Sequence, residues 1–190
     1  MSITSIMIVG VGGQGTLLAS RILGNTLIGA GYDVKVSEVH GMSQRGGSVT
    51  TYVRFGDKVC SPLIEEGEAD FILSFEKLEA ARWASCLKNG GTIIVNTQEI
   101  DPMPVITGAA EYPSGILEEL KNKGVNIDAV DALSIAEQAG SAKAVNIVLL
   151  ARFAKRFTIP VESWEAAIAN TVAPKFIDMN RKAFELGYNA

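Results

Sequence analysis

The sequence predicts an α/β fold in three layers, with a mostly parallel sheet, an antiparallel hairpin after the second strand and a helical C-terminal third. A short apolar run at residues 6–9 ends in glycine and leads into a segment with helical spacing. An alternating segment at residues 48–55 stands where a doubly wound fold would place a helix. From residue 132 onward the apolar spacing is mostly helical. We therefore predict one Rossmann-like domain over residues 1–190.

The first unit consists of a strand, a glycine-rich loop, a helix and a second strand. Residues 6–9 are uniformly apolar, which is typical of a strand buried on both faces of a parallel sheet. Residues 16–30 carry leucine and isoleucine at helical spacing, and Gly31 stands where the C-cap of that helix belongs. Residues 32–36 then predict the second strand. This order is that of a βαβ unit.

Residues 48–55 predict the first arm of an antiparallel hairpin. Side chains alternate there between Val49 and Phe55, so that one set shares a face. Residues 56–57 are a Gly-Asp turn signal, and residues 58–60 resume an extended pattern as the second arm. The α/β pattern then returns, with a proline-rich loop or edge element at 100–112, strands at 70–75, 92–96 and 125–130, and helices at 76–87, 114–123, 132–139, 143–156, 162–171 and 174–187.

The composition argues against several classes of protein. The chain has 190 residues and a formal net charge of −4, from 17 basic and 21 acidic side chains, so it offers no basic stripe for nucleic acid. Its apolar runs are too short to span a bilayer, and its first residues lack the basic start of a secretory signal. We expect a cytoplasmic protein that binds neither nucleic acid nor membrane.

Cysteine and histidine, the residues that hold iron–sulfur clusters and structural zinc, are scarce in this chain. The chain has two isolated cysteines, Cys60 and Cys86, and one histidine, His40. An iron–sulfur cluster normally takes four thiolates. A structural zinc site takes four ligands that are cysteine or histidine side chains. We therefore predict no metal site in this chain, and two reduced thiols.

The loop after the first strand has the G-x-G-x-x-G spacing of a nucleotide-binding fingerprint. It comprises Gly10, Gly12, Gly13, Gln14 and Gly15. Glycine permits a tight turn, the approach of an anion to the backbone and close helix packing. One interpretation is an NAD(P) or FAD site, with Glu38 near a ribose hydroxyl; the other is a sharp strand–helix turn. The predicted hairpin favours the turn, because it removes a helix from the nucleotide-binding half.

The loop after the second strand, residues 37–48, concentrates polar groups between glycines. His40 supplies an imidazole, Gln44 an amide and Arg45 a planar guanidinium fork that suits a carboxylate or a phosphate. The alternative to a functional role is a structural one, in which Arg45 forms a surface salt bridge and His40 bonds to the backbone. Because the two loops follow two successive strands of one sheet, we expect both to open at the same edge.

Together the two loops resemble one family. Residues 10–15 read Gly-Val-Gly-Gly-Gln-Gly, and residues 37–49 read Ser-Glu-Val-His-Gly-Met-Ser-Gln-Arg-Gly-Gly-Ser-Val. The pair is similar to the γ-type domain of the 2-oxoacid:ferredoxin oxidoreductases, and most similar to the β subunits of the indolepyruvate:ferredoxin oxidoreductases. The segment at 90–95 and Asn146 fit the same pattern. The resemblance covers essentially the whole chain and implies a single γ-type catalytic domain.

The resemblance implies a role in oxidative decarboxylation. Enzymes of this family convert a 2-oxoacid to an acyl-CoA and pass two electrons to ferredoxin. Thiamine diphosphate with Mg²⁺, 4Fe-4S clusters and CoA are then implied for the complete enzyme through a larger thiamine- and iron–sulfur-containing subunit, and none is bound by this chain alone. The chain would be the smaller subunit, inactive by itself and able to form a homodimer when isolated. Indolepyruvate, another arylpyruvate and simpler 2-oxoacids stay open as substrates.

The resemblance also implies a site. The candidate catalytic residues are His40, Gln44 and Arg45. The candidate cofactor-binding residues are Gly10, Gly12, Gly13, Gln14, Gly15, Gly46 and Gly47. Two other functions stay open: a stand-alone NAD(P)- or flavin-binding oxidoreductase, and a binding or assembly module without an effect on turnover. Colour and dinucleotide binding of the purified protein discriminate the first of these.

Overall fold

A six-stranded sheet organises the computed structural model, which describes residues 3–40 and 47–190, His40 by its backbone alone. The strands lie in the order β2-β3-β1-β4-β5-β6. Their bounds are β1 Thr4–Val11, β2 Asp33–His40, β3 Ser48–Gly56, β4 Ala69–Ser74, β5 Leu87–Asn96 and β6 Asn126–Val130. β3 runs antiparallel to both of its neighbours, β1 and β2. The pairs β1–β4, β4–β5 and β5–β6 are parallel.

Helices cover both faces of the sheet. One face carries α1, α5, α6, α7 and α8, and the other carries α2 and α4. The helices are α1 Thr16–Gly29, α2 Lys77–Trp83, α3 Met103–Ile106, α4 Ile116–Asn122, α5 Ala132–Ala139, α6 Val145–Ala154, α7 Val161–Thr171 and α8 Ile177–Asn189. Among the described residues, no helix is both long and apolar enough to cross a membrane.

β1 explains why the sheet needs both helical layers. Ile6 and Ile8 pack into the core under α1 and α6, whereas Met7 and Val9 pack into the core under α2. All four side chains are fully buried. Successive side chains of a strand point to opposite faces, so an unbroken apolar run is stable only where both faces are covered.

The predicted fold class is confirmed. The prediction that β3 pairs with residues 58–60 in a hairpin is wrong. Residues 58–60 form no strand, and β3 instead pairs with β2 on one side and β1 on the other. The reason lies at Val59, whose side chain is buried and whose N–H donates to Asp33 Oδ2 at 2.8 Å. This bond folds the segment back over the start of β2. The antiparallel hairpin is therefore β2–β3.

Asp128, on the edge strand β6, forms ion pairs with two arginines. Arg152 donates to its Oδ1 through Nε and Nη2 at 3.0 and 2.9 Å, and Arg156 Nη2 donates to its Oδ2 at 2.6 Å. Burial alone would raise the pKa of Asp128. The hydrogen bonds from the two arginines outweigh burial and hold that pKa below the ordinary value of 3.8. These contacts tie β6 to α6 and its C-terminal end.

Asp128→Asn is expected to lower the free energy of unfolding at neutral pH by roughly 1–2 kcal/mol. Because the folded-state pKa of Asp128 is depressed, its contribution is present above the unfolded-state pKa and is lost as pH falls through the folded-state pKa. Urea unfolding of both proteins at pH 7 and pH 3 measures this. The difference between them should shrink at pH 3; an equal difference at both pH values would contradict the assignment.

Candidate functional site at the carboxyl edge of the sheet

The first glycine loop is a tight turn that starts α1. Gln14 N–H donates to the carbonyl of Val11 at 3.2 Å, and Gly13 between them has a φ of +103°. Gly15 follows at the N-cap of α1 with a φ of +83°. Left-handed values of φ are costly for residues with a Cβ, so glycine is required at both positions by the backbone alone. The turn directs the N-terminus of α1 toward the carboxyl edge.

The Gln14 side chain is committed to the fold. Its Oε1 accepts from Val11 N–H at 2.7 Å, and its Nε2 donates to the carbonyl of Phe75 at 3.0 Å. A Cβ on Gly10 would lie 2.9 Å from Gln14 Oε1, so the glycine makes room for the folded-back amide. Gln14 thus joins the ends of β1 and β4 across the edge.

Asn146 occupies the corresponding space at Gly15. A Cβ on Gly15 would lie 2.8 Å from Asn146 Nδ2, and the same nitrogen donates to the Gly15 carbonyl at 3.3 Å. Asn146 is 2% exposed and comes from the first turn of α6. The group that lies close to Gly15 is therefore the Asn146 amide of this chain, where the fingerprint would place a bound anion.

The structure brings the two loops together. The N–H of Gly12 donates to the carbonyl of Gly47 at 2.9 Å, which extends the β1–β3 ladder by one contact beyond the strands. The hydroxyl of Ser48 donates to the buried carboxylate of Glu79 in α2. Glu79 also pairs with Arg82 Nε at 3.1 Å. The exit of the second loop is thus fixed from two sides.

The remaining predicted residues of the second loop lie outside the described residues. They are the His40 side chain, Gln44, Arg45 and Gly46, with the rest of 41–46. The backbone of His40 ends β2. Glu38, which the dinucleotide interpretation placed near a ribose, accepts a hydrogen bond from the Ser20 hydroxyl at 3.2 Å. Its carboxylate is thus partnered on the α1 side of the sheet.

A groove of about 520 Å³ opens beside the first loop. Its lining includes residues from the first loop, from the segment that follows β5 and from around the start of α6: Gly13, Gly15, Gln98, Ile100, Lys143 and Asn146. Lys143 is exposed and lies in a short 3-10 turn just before α6, so the N-termini of α1 and α6 both approach this groove. Helix N-termini and an ammonium group make the groove electropositive. Lys143 and Gln98 were not singled out from the sequence, because they are far in sequence from both glycine loops.

A buried carboxylate supports the same edge on its other side. Glu76 is 1% exposed and caps α2, where its Oε2 accepts from Glu79 N–H at 3.0 Å. Its Oε1 accepts from Ile100 N–H at 3.2 Å and from the Tyr112 hydroxyl. Burial, and then the hydrogen bond to Glu76, raises the pKa of Tyr112, so the phenol stays a neutral donor.

Comparisons with known proteins agree with this architecture. The family described as pyruvate ferredoxin/flavodoxin oxidoreductase matches residues 5–190. Indolepyruvate oxidoreductase subunit IorB of Thermococcus kodakarensis is 45% identical, over 98% of this chain and 95% of the relative.

Two solved structures support the fold. The pyruvate oxidoreductase subunit PORC of Thermotoga maritima aligns with a TM-score of 0.75 at 23% identity, covering 100% of this chain and 97% of that one. A 2-oxoglutarate:ferredoxin oxidoreductase of Magnetococcus marinus aligns with a TM-score of 0.74 at 18% identity, covering 100% of this chain but 31% of that one. The predicted family is therefore confirmed: the chain belongs to the pyruvate ferredoxin/flavodoxin oxidoreductase family, among the relatives of the indolepyruvate oxidoreductase subunits.

Proposed function

We propose that this chain is the smaller subunit of a 2-oxoacid:ferredoxin oxidoreductase that acts on indolepyruvate or a related arylpyruvate. It helps to form the site in which a larger, thiamine-bearing subunit oxidatively decarboxylates the 2-oxoacid to an acyl-CoA, with ferredoxin as electron acceptor. The observation that carries the proposal is the fixed pairing of the two loops by the Gly12–Gly47 hydrogen bond. That bond fixes the start of β3, which pairs with the end of β2, at the carboxyl edge, where α/β sheets bind ligands.

The interior of the first loop supports an architectural role over a dinucleotide site. Gln14 fills the space at Gly10, and Asn146 fills the space at Gly15. A pyrophosphate could therefore not occupy the Cβ side of Gly10 or Gly15 without displacing a hydrogen-bonded amide. A stand-alone NAD(P)- or flavin-binding oxidoreductase is the weaker proposal for this reason. Titration of the purified chain with NADH and FAD should show no binding.

The redox cofactors suit a partner better than this chain. Cys60 is exposed and Cys86 is buried, and burial raises the pKa of the Cys86 thiol. A cluster takes four thiolates, and the whole chain has two cysteines. We assign the 4Fe-4S clusters, thiamine diphosphate and Mg²⁺ to the larger subunit. Thiamine diphosphate bound there supplies the carbon nucleophile and the electron sink.

The contribution of this chain is to position and enclose the reactants. Within this proposal, Arg45 and Gln44, in the connection between β2 and β3, bind the substrate carboxylate or a CoA phosphate. His40, at the end of β2, is a candidate proton donor or acceptor in the same site. The electropositive groove with Lys143 lies at the same edge and favours an anionic group such as a CoA phosphate. In this proposal the chain helps to bind the reactants of a reaction whose electron carriers lie in the larger subunit.

Arg45→Ala tests the proposal in the complex with the larger subunit. Removal of a guanidinium that binds an anion is expected to lower kcat/KM for the 2-oxoacid or for CoA at least tenfold, because charged hydrogen bonds are worth roughly 1.5–3 kcal/mol. The assay is 2-oxoacid-dependent reduction of ferredoxin. Arg181→Ala, an exposed arginine of α8, is the matched control and should keep wild-type rates. Unchanged assembly and unchanged turnover in Arg45→Ala would remove Arg45 from the site.

A further inference from the structure

A segment between β5 and α4 presents apolar residues to solvent at the carboxyl edge. We call residues 97–115 the strap. Its short helix α3 reads Met-Pro-Val-Ile and buries none of its residues. Met103 and Ile106 are 63% and 64% exposed. A helix of one turn has little intrinsic stability. Because α3 buries none of its residues, packing against the rest of the chain adds little to that stability.

The strap is held firmly at both ends. Glu76, itself 1% exposed, accepts from Ile100 N–H near one end and from the Tyr112 hydroxyl near the other. The carbonyl of Gln98 also accepts from Lys77 N–H at 3.2 Å. A buried carboxylate is a costly anchor unless its hydrogen bonds are made, so these contacts fix where the strap begins and ends.

The middle of the strap is ordered by its own backbone. The N–H groups of Ala109 and Ala110 donate to the carbonyl of Pro104 at 2.8 and 3.1 Å, and the Thr107 hydroxyl donates to the carbonyl of Met103 at 3.0 Å. The exposed apolar side chains are therefore presented in a defined geometry. Pre-organisation of this kind lowers the entropy that a binding surface loses on association.

We propose that the strap is a docking surface for the larger subunit, with Met103 and Ile106 at its centre. This inference rests on the proposed function and adds to it the surface that the partner contacts. The strap borders the candidate site, because Ile100 lines both the groove with Gly13 and the small pocket with Ser48. A subunit that covers the ends of β1 and β3 therefore reaches the strap along a continuous surface.

Charge selects the class of partner. The strap contains Asp101 and Glu111, both exposed, and neither lysine nor arginine, whereas its third acidic residue, Glu99, pairs with Lys77 of α2. Two copies of this chain that met strap to strap would bring acidic rims together, which opposes association. A partner surface with an apolar centre and a basic rim fits both features. The occupant is thus the larger subunit and not a second copy of the chain.

Ile106→Glu tests the docking surface in titrations of the purified larger subunit with the chain. The expected result is an increase of at least about tenfold in the Kd of the complex, since a charge would replace an apolar contact at the centre of the interface. Ferredoxin reduction at saturating chain should stay close to wild type. Ile28→Glu is the matched control, because Ile28 is 60% exposed but lies near the C-terminal end of α1, at the opposite edge. Its Kd should stay within about twofold of wild type.

The outcomes separate this inference from the proposed function. Wild-type chain that neither binds the larger subunit nor supports turnover would overturn both. Wild-type chain that binds, with Ile106→Glu binding equally well, would overturn the docking surface alone. A wild-type homodimer that Ile106→Glu converts to a monomer would assign the strap to a second copy and also overturn it. Slower amide hydrogen exchange at residues 105–110 in the complex would support the docking surface. An unfolding temperature of Ile106→Glu close to that of wild type would show that the variant is folded and that a loss of binding is not a loss of structure.

Discussion

Gly187→Ala is expected to lower the free energy of unfolding by about 3 kcal/mol, although alanine usually stabilises a helix. Gly187 lies inside α8, where a Cβ would approach the carbonyl oxygen of Val148 to 2.7 Å and its Cα to 2.9 Å. These are backbone atoms of α6 and cannot rotate away. The usual gain of about 1 kcal/mol from helix propensity is therefore smaller than the cost of forcing α6 and α8 apart. Denaturant unfolding measures the difference.

Gly24→Ala is the matched control for this prediction. Gly24 is also a buried glycine within a helix, but a Cβ there would lie 3.9 Å from the nearest atom, Val36 Cγ2, which is an ordinary contact. This variant should be more stable than wild type by up to about 1 kcal/mol. Equal effects of the two substitutions would mean that contact between α6 and α8 does not depend on Gly187.

Gln14→Leu is expected to cost about 2 kcal/mol of folding free energy in the absence of any ligand. Leucine has nearly the same volume, but it leaves Val11 N–H and the Phe75 carbonyl without the partners they have in Gln14. In the complex with the larger subunit, the same change should also lower turnover, because the Gly12–Gly47 contact depends on the shape of this turn. Thermal unfolding of the isolated chain and ferredoxin reduction by the complex are the two measurements.

Leu17→Gln is a control for the same loop, because Leu17 is one helical turn away and 36% exposed. Its effect on unfolding should stay within about 0.5 kcal/mol. If Gln14→Leu left stability unchanged and only weakened binding of CoA or another ligand, Gln14 would be a ligand-binding residue and not part of the turn. The experiment thus decides between the two roles that the glycine fingerprint allows.

The sequence predicts those parts of the fold that depend on local signals. α5 begins and ends where predicted, since Asp131 caps it by accepting from Ser134 N–H at 3.1 Å and Gly140 ends it in a left-handed conformation. β1 is predicted because its apolar run is unbroken. In both cases the residues that set the bounds are neighbours in the chain.

The partners of β3 and the roles of two amides depend on distant contacts, and the sequence does not predict them. The pairing of β3 with β1 joins residues that are far apart in the chain, for example Ile6 with Val53. Gln14 was predicted to bind a cofactor, and its bond to Phe75 spans 61 positions. Nothing in the spacing of the glycines shows that their spaces are filled by Gln14 and Asn146. The interior of the first loop therefore depends on contacts that the spacing does not reveal, and the role of the two loops as a site stays a prediction.

β3 is held on both sides, and this has a consequence for how the hairpin tip can evolve. Its register is fixed residue by residue against β1 from Val11–Ser48 to Thr4–Phe55, independently of the connection to β2. An insertion or deletion in 41–46 therefore cannot slide β3 and turn its buried face outward, as it would in an isolated hairpin. Mutation can change the length and chemistry of the tip while the sheet stays the same. Related proteins can therefore diverge in this connection at little cost to the scaffold.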